Sequence, residues 1–219
     1  MDLLLCEERE AVIKYGMALV RSRLTRGTGG NLSAMNRERG LFAISPSGMD
    51  YFEIAPEDVA VMNLEGRVVD GGKKPSSEWN MHRMLYCDRE DVRAVVHTHS
   101  SFATALACTK EVQSGGVRPI HYLAALAGPD LRCVPYYPFG SEELARAACR
   151  GMRDRRAVLL ANHGLLAAGA SLEQAFAVAE EIEFVCELYY HARTVGTPAP
   201  LFDGDLREAA RRFEGYGQG

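Results

Sequence analysis

Two short apolar runs, VRAVVHTH at 92–99 and RAVLLANHG at 156–164, each run into a histidine at or next to their end. Apolar runs of this length, bounded by polar residues, read as strands buried on both faces, so the chain must supply covering layers above and below them. A His-x-His pair at a strand end reads in two ways. The imidazoles are held by backbone or solvent, or they converge on one metal ion. Side chains two apart on a strand point the same way, which puts His97 and His99 roughly 7 Å apart on one face. His163 ends its own run before a glycine. Three strand-end histidines fit a catalytic zinc site with an open position.

The rest of the chain alternates strand and helix signals without a repeat. An apolar stripe from Leu3 to Leu24 predicts a helix, and NLSAM, LFAI, VAVMNL and RVV predict short strands. Ser76 is expected to cap a helix running to about Tyr86, and Ser141 one to about Met152. SFATALACT and IHYLAALAG read as helical and LRCVPYY as a strand. Ser171 and Gln174 form a capping-box pattern for a long helix to about Arg193, followed by Pro198, Pro200 and a weak final helix. The expected fold is α/β, a mixed sheet with helices on both faces, in one domain spanning residues 1–219.

The balance of 25 basic and 29 acidic residues, without a long run of either sign, argues against broad nucleic-acid or membrane-surface binding. The basic stretch GMRDRR at 151–156 reads as a solvated turn. Six scattered cysteines without a Cys-x-x-Cys pair read as small core residues in a reducing compartment. MDLLLCEERE carries no basic leader, and no apolar run approaches the ~18 residues of a membrane span, so a cytoplasmic protein without membrane partners is expected.

Three small-residue clusters invite an anion. The loop RGTGGN at 26–31 lacks the Gly-Lys-Ser/Thr of a P-loop and has Leu32 where the dinucleotide fingerprint requires a small residue, so it reads equally as a helix-to-strand turn. SPSG at 45–48 and Ser76-Ser77 supply further hydroxyls and amides for a small phosphate. Glu78, next to those serines, is an ordinary first-turn carboxylate unless they bind phosphate, in which case it is an acid–base candidate. His82 and His191 fall in expected helices and read as surface or locally satisfied residues; His121 beside Tyr122 is ambiguous.

The ordered set TGGNLS, ISPSGM, KPSSEW, HTHS, PIHYLAALAG, PYYPFG and LLANHGLL resembles the class II aldolase/adducin family over nearly the whole chain, most closely its L-fuculose-1-phosphate aldolase branch. The resemblance implies a three-layer α/β/α subunit with a mixed, largely antiparallel sheet, assembled as a homotetramer with active sites between subunits. It implies one Zn2+ per subunit held by His97, His99 and His163, with Glu78 as catalytic carboxylate and as a metal ligand when substrate is absent. Gly30, Asn31, Ser47, Gly48, Ser76 and Ser77 would cradle a sugar phosphate's phosphate group. Tyr122 would serve a neighbouring subunit's site as a catalytic proton carrier. Phe213 and Tyr216 would belong to a mobile tail at about 203–219 that closes over the aldehyde half. Gly219 stands where the fuculose-phosphate enzymes are expected to carry arginine.

The implied chemistry is reversible retro-aldol cleavage of a short ketose 1-phosphate to dihydroxyacetone phosphate and an aldehyde. Lys73, Lys74 and Lys110 offer no evident Schiff base, so zinc would stabilise the charge on the ketone-bearing fragment. Two other readings stay open. One is an L-ribulose-5-phosphate 4-epimerase-like sugar-phosphate epimerase, although the 4-epimerases resemble KPSSD, and the sugar-acid decarboxylases KPSKE, whereas this chain has KPSSE. Adducin members use the fold as a cytoskeletal binding module, against which the intact histidines and Glu78 count.

Overall fold

A computed structural model describes residues 3–213 and 215 of the protein. In chain order its regular elements are α1 (Cys6–Arg21), β1 (Asn31–Asn36), β2 (Leu41–Ile44), β3 (Ala60–Asn63), β4 (Val68–Asp70), α2 (Trp79–Asp88) and β5 (Ala94–Thr98). They continue with α3 (Ser101–Ala107), α4 (Lys110–Gly115), β6 (Cys133–Val134), α5 (Glu142–Gly151), β7 (Ala157–Leu160), β8 (Gly164–Gly169), α6 (Leu172–Val195) and α7 (Asp203–Phe213). The strands form one sheet in the order β4-β3-β2-β1-β5-β8-β7-β6. The pair β6–β7 is parallel; the other neighbours are antiparallel.

Strand alternation sends successive side chains into two separate cores. Leu32, Ala34, Val61, Val96, Leu159 and Leu165 meet α1, α3 and α6 through Val12, Leu19, Ala103 and Ile182. Phe42, Met62, Val95, Val158 and Leu166 meet α2 and α5 through Met81, Leu85, Leu144 and Ala148. The result is the expected three-layer α/β/α arrangement with a mixed, largely antiparallel sheet.

Several elements differ from expectation for local reasons. LRCVPYY keeps only the two residues of β6 as strand, because Pro135 and Pro138 lack the N–H a ladder needs. IHYLAALAG is a 3-10 turn, Tyr122–Leu126, pinned by Ala124 and Ala125 against Val185 and Leu206. α4 was not legible; Thr109 starts it by accepting from the Val112 N–H. The capping pattern at α6 holds, with Ser171 Oγ accepting from Gln174 N and Gln174 reaching back to Ala170 N.

Cys149 and Cys186 are buried, but Cys6, Cys87 and Cys108 are exposed, so the core reading of the cysteines fails for half of them. GMRDRR is not wholly solvated either. Arg155 is buried and its guanidinium pairs with Asp130 and Asp154, closing the loop onto the sheet. No helix among the described residues is long and apolar enough to cross a membrane.

Candidate active site

Register brings distant residues to one end of the central sheet. Asn31, opening β1, lies opposite His97 near the end of β5, while His97 and Thr98 lie opposite Leu166 and Leu165 of β8. His97 Nδ1 is 2.9 Å from the Leu165 carbonyl, which only accepts, so that nitrogen carries the proton. The lone pair of Nε2 therefore faces the centre of the cluster. There Nε2 stands 3.0 Å from His99 Nε2 and 3.3 Å from Glu78 Oε2, and His163 Nε2 stands 3.4 Å from Glu78 Oε1.

The ligand atoms of Glu78, His97, His99 and His163 all lie within 4.8 Å of one another. A tetrahedral ion with bonds of about 2.0–2.1 Å needs ligand atoms roughly 3.4 Å apart, which the three close contacts match. Glu78 Oε1 is buried without a hydrogen-bond partner among the described residues, an arrangement a cation would satisfy. Burial, and then the neighbouring His163 and His99, hold His97 well below its ordinary pKa; burial and His163 do the same to His99. Both are thus kept in the neutral form that binds metal. The donor set fits a divalent ion.

The histidines are not all at strand ends. β5 stops at Thr98, which leaves His99 free to lean its ring toward His97, and the 7 Å spacing collapses. His163 sits in a turn: RAVLLANHG is not one strand but the end of β7, a reversal, and the first residue of β8. Asn162 makes that reversal at φ 54°, a left-handed conformation asparagine tolerates. At Gly164 a Cβ would lie 2.1 Å from the Thr98 carbonyl oxygen, so glycine is required where β8 meets the histidine strand.

Above the cluster lies a cavity of about 340 Å³. Its walls include all six residues expected at the phosphate, Gly30, Asn31, Ser47, Gly48, Ser76 and Ser77, together with Glu78, His99 and His163. Two backbone bonds explain the convergence: Ser47 N donates to Lys74 O and Ser76 N to Ser45 O, zipping the two serine loops together around the Pro46–Pro75 bridge. Gly30, at φ 69°, brings its backbone against the His97 carbonyl, where a Cβ would approach to 2.7 Å.

Ser76 does not cap α2. A turn from Ser76 to Trp79 comes first, the helix begins at Trp79, and Glu78 occupies the N-cap position without making a capping bond. Its carboxylate turns inward, where Asn31 Nδ2 donates to Oε2 at 3.0 Å.

Tyr122 does not join this cavity. It is exposed on the 3-10 turn, stacks 6.0 Å from Phe213 of α7, and lines a separate groove with it. Tyr216 and Gly219 lie outside the described residues. Sequence reasoning gave no role to Tyr136 and Phe139, which line the cavity as exposed aromatics from the loop after β6, or to Asn162. His82, read as surface or satisfied, is satisfied but fully buried, bonded to Asn31 and Ser33. Its spacing of four from Glu78 was the available signal.

The pattern of the class II aldolase and adducin N-terminal domain matches residues 10–190. The chain belongs to this family. It is 51% identical to a 5-deoxy-D-ribulose 1-phosphate aldolase of Bacillus thuringiensis serovar kurstaki, over 99% of this chain and 100% of the relative. It is 38% identical to a 5-methylthioribulose-1-phosphate/5-deoxyribulose-1-phosphate aldolase of Rhodospirillum rubrum, over 95% and 92%. A solved L-fuculose 1-phosphate aldolase superposes with a TM-score of 0.92 at 44% identity, covering 97% of this chain and 98% of that one. These family members are aldolases, carbon–carbon lyases that act on sugar phosphates.

Proposed function

We propose that the protein is a zinc-dependent aldolase that reversibly cleaves a short deoxy-ketose 1-phosphate to dihydroxyacetone phosphate and an aldehyde. The observation that carries this reading is the Glu78 carboxylate, set among three converging imidazoles at the base of a serine- and glycine-walled cavity. His97, His99 and His163 would hold one zinc per subunit. Bound zinc supplies Lewis-acid stabilisation, worth about several kcal/mol, of the negative charge left when the C3–C4 bond breaks.

The backbone amides and hydroxyls around Gly30, Ser47, Gly48, Ser76 and Ser77 hold the phosphate and fix C1 to C3 over the cluster. As the C3–C4 bond breaks, its electron pair stays on C3. The C4 hydroxyl loses its proton, becoming the aldehyde, and Glu78 delivers a proton to C3; synthesis runs these transfers backward. Glutamate at this position supports carbon protonation and release over 4-epimerisation. Tyr136 and Phe139 offer the aldehyde end an apolar wall, in keeping with the deoxy sugars and thioether sugar named for the relatives. A coupled assay for dihydroxyacetone phosphate is expected to respond to 5-deoxyribulose, methylthioribulose and fuculose 1-phosphates and to lose its signal under chelation. Inversion of pentulose 5-phosphates without triose release would instead support the epimerase.

The single sheet supports reading residues 1–219 as one domain with a tail from about 203. Tyr122 and Phe213 share a groove apart from Glu78, so Tyr122 would act at another chain's Glu78; the homotetramer that the family resemblance implies would let it reach a neighbour's cavity and take the C4 hydroxyl proton there. Mixed oligomers of Glu78→Gln and Tyr122→Phe chains are then expected to regain activity, because some sites receive both intact residues. No recovery in verified mixed oligomers would move the site within one chain. Unpaired cysteines support a cytoplasmic setting.

A further inference from the structure

Behind the cavity runs a hydrogen-bonded chain of buried side chains that the reaction above does not use. Tyr86 OH lies 2.6 Å from Ser33 Oγ, which lies 2.7 Å from His82 Nδ1; His82 Nε2 lies 2.6 Å from Asn31 Oδ1, and Asn31 Nδ2 is 3.0 Å from Glu78 Oε2. Ser33, His82, Tyr86 and Asn31 are all buried, with Ser33 and His82 fully so.

Chemistry fixes the direction of every bond. A carboxylate oxygen accepts, so Asn31 must present its amide nitrogen to Glu78 and its oxygen to His82. His82 Nε2 must therefore carry a proton. Burial, then the neighbouring His97, lowers the His82 pKa to about 3, so the ring is neutral and Nδ1 accepts from Ser33. Burial also raises the Tyr86 pKa far above its ordinary value, which keeps the phenol protonated as a donor to Ser33. His82 thus reinforces Glu78: a flipped Asn31 amide would set N–H against N–H at His82 as well as oxygen against oxygen at Glu78.

We propose that His82 is a positioning residue that locks the orientation of the Asn31 amide, so that Glu78 Oε2 is permanently held and Oε1 is the oxygen that exchanges protons with substrate. Oε1 is the one without a hydrogen-bond partner among the described residues, 3.4 Å from His163 Nε2. The assignment rests on Glu78 as the proton donor to C3. It also commits both ends of the Asn31 side chain, which leaves that residue its backbone, not its amide, for the phosphate.

The test compares His82→Leu, which removes both ring nitrogens, with His82→Gln, whose amide can still donate to Asn31 Oδ1. Proton exchange at C3 of dihydroxyacetone phosphate, bound metal by elemental analysis, and metal-free crystal structures are the readouts. For His82→Leu, kcat for exchange should fall about 30-fold or more, while KM changes less than about twofold and metal content is unchanged. The Asn31–Glu78 contact should be lost in the metal-free crystal, and His82→Gln should restore the contact and most of kcat. Wild-type kcat in a folded His82→Leu protein overturns the proposal, as does equal impairment of both variants in kcat and KM together. If His82→Leu fails to fold, Ser33→Ala takes its place: partial loss of kcat with unchanged KM supports the positioning role, and no loss overturns it. If wild-type protein itself gives no exchange, the aldolase reading fails, and the Asn31–Glu78 contact in the variant crystals still decides the role of His82.

Discussion

Glu78→Gln is expected to lower turnover about 10²- to 10⁴-fold while the fold and bound metal persist. The glutamine oxygen can accept from Asn31 Nδ2 as Oε2 does, so the buried bond survives. Three imidazoles remain to hold the ion, the ligand count of a catalytic zinc site. What disappears is a carboxyl able to carry a proton to and from carbon, because an amide at the position of Oε1 does not titrate. Exchange of the C3 hydrogens of dihydroxyacetone phosphate into deuterated water reads that step alone, without the aldehyde. Wild-type exchange from a metal-loaded Glu78→Gln protein would remove Glu78 from its assigned role.

A second large effect is expected at Gly164, which is not among the residues lining the cavity. Its added Cβ would lie 2.1 Å from the Thr98 carbonyl oxygen, 3.2 Å from the Thr98 carbonyl carbon and 3.3 Å from His97 Cε1. The nearest atoms are backbone, so β5 and β8 must separate where they carry His97 and the turn of His163. Overpacking of this kind costs about 1–3 kcal/mol of stability, and a ligand displaced by about 1 Å costs on the order of 10² in rate. Gly164→Ala should therefore lose bound metal and at least about 100-fold in activity while retaining a cooperative, lowered melting transition. Stoichiometric metal in a soluble Gly164→Ala protein would show that the turn tolerates the methyl group.

These two positions differ in how well they could be read in advance. Glu78 was legible from its place after Ser76-Ser77, but only as a conditional candidate, since a first-turn glutamate is ordinarily a partner for the helix dipole. Gly164 was legible as a small residue after a histidine. Its necessity was not, because the atom it must avoid belongs to Thr98, 66 positions earlier in the chain.

The sequence by itself determined the layering and the cast of the site. Short continuous apolar runs alternating with capped helical stripes require a sheet covered on both faces, and the short-range chemistry of Ser141, Ser171 and Gln174 starts two of the covering helices. The histidines, the serine clusters and Glu78 announced themselves by residue type and spacing. Tertiary structure decided how they meet. Antiparallel register puts Asn31 opposite His97, and a turn at Asn162 swings His163 back to Glu78. It also buried His82, which local pattern left as either a surface or a locally satisfied residue, and joined it through Asn31 to the carboxylate. Local rules govern hydrogen bonds among near neighbours, whereas a contact spanning tens of residues depends on register and packing that no short stretch encodes.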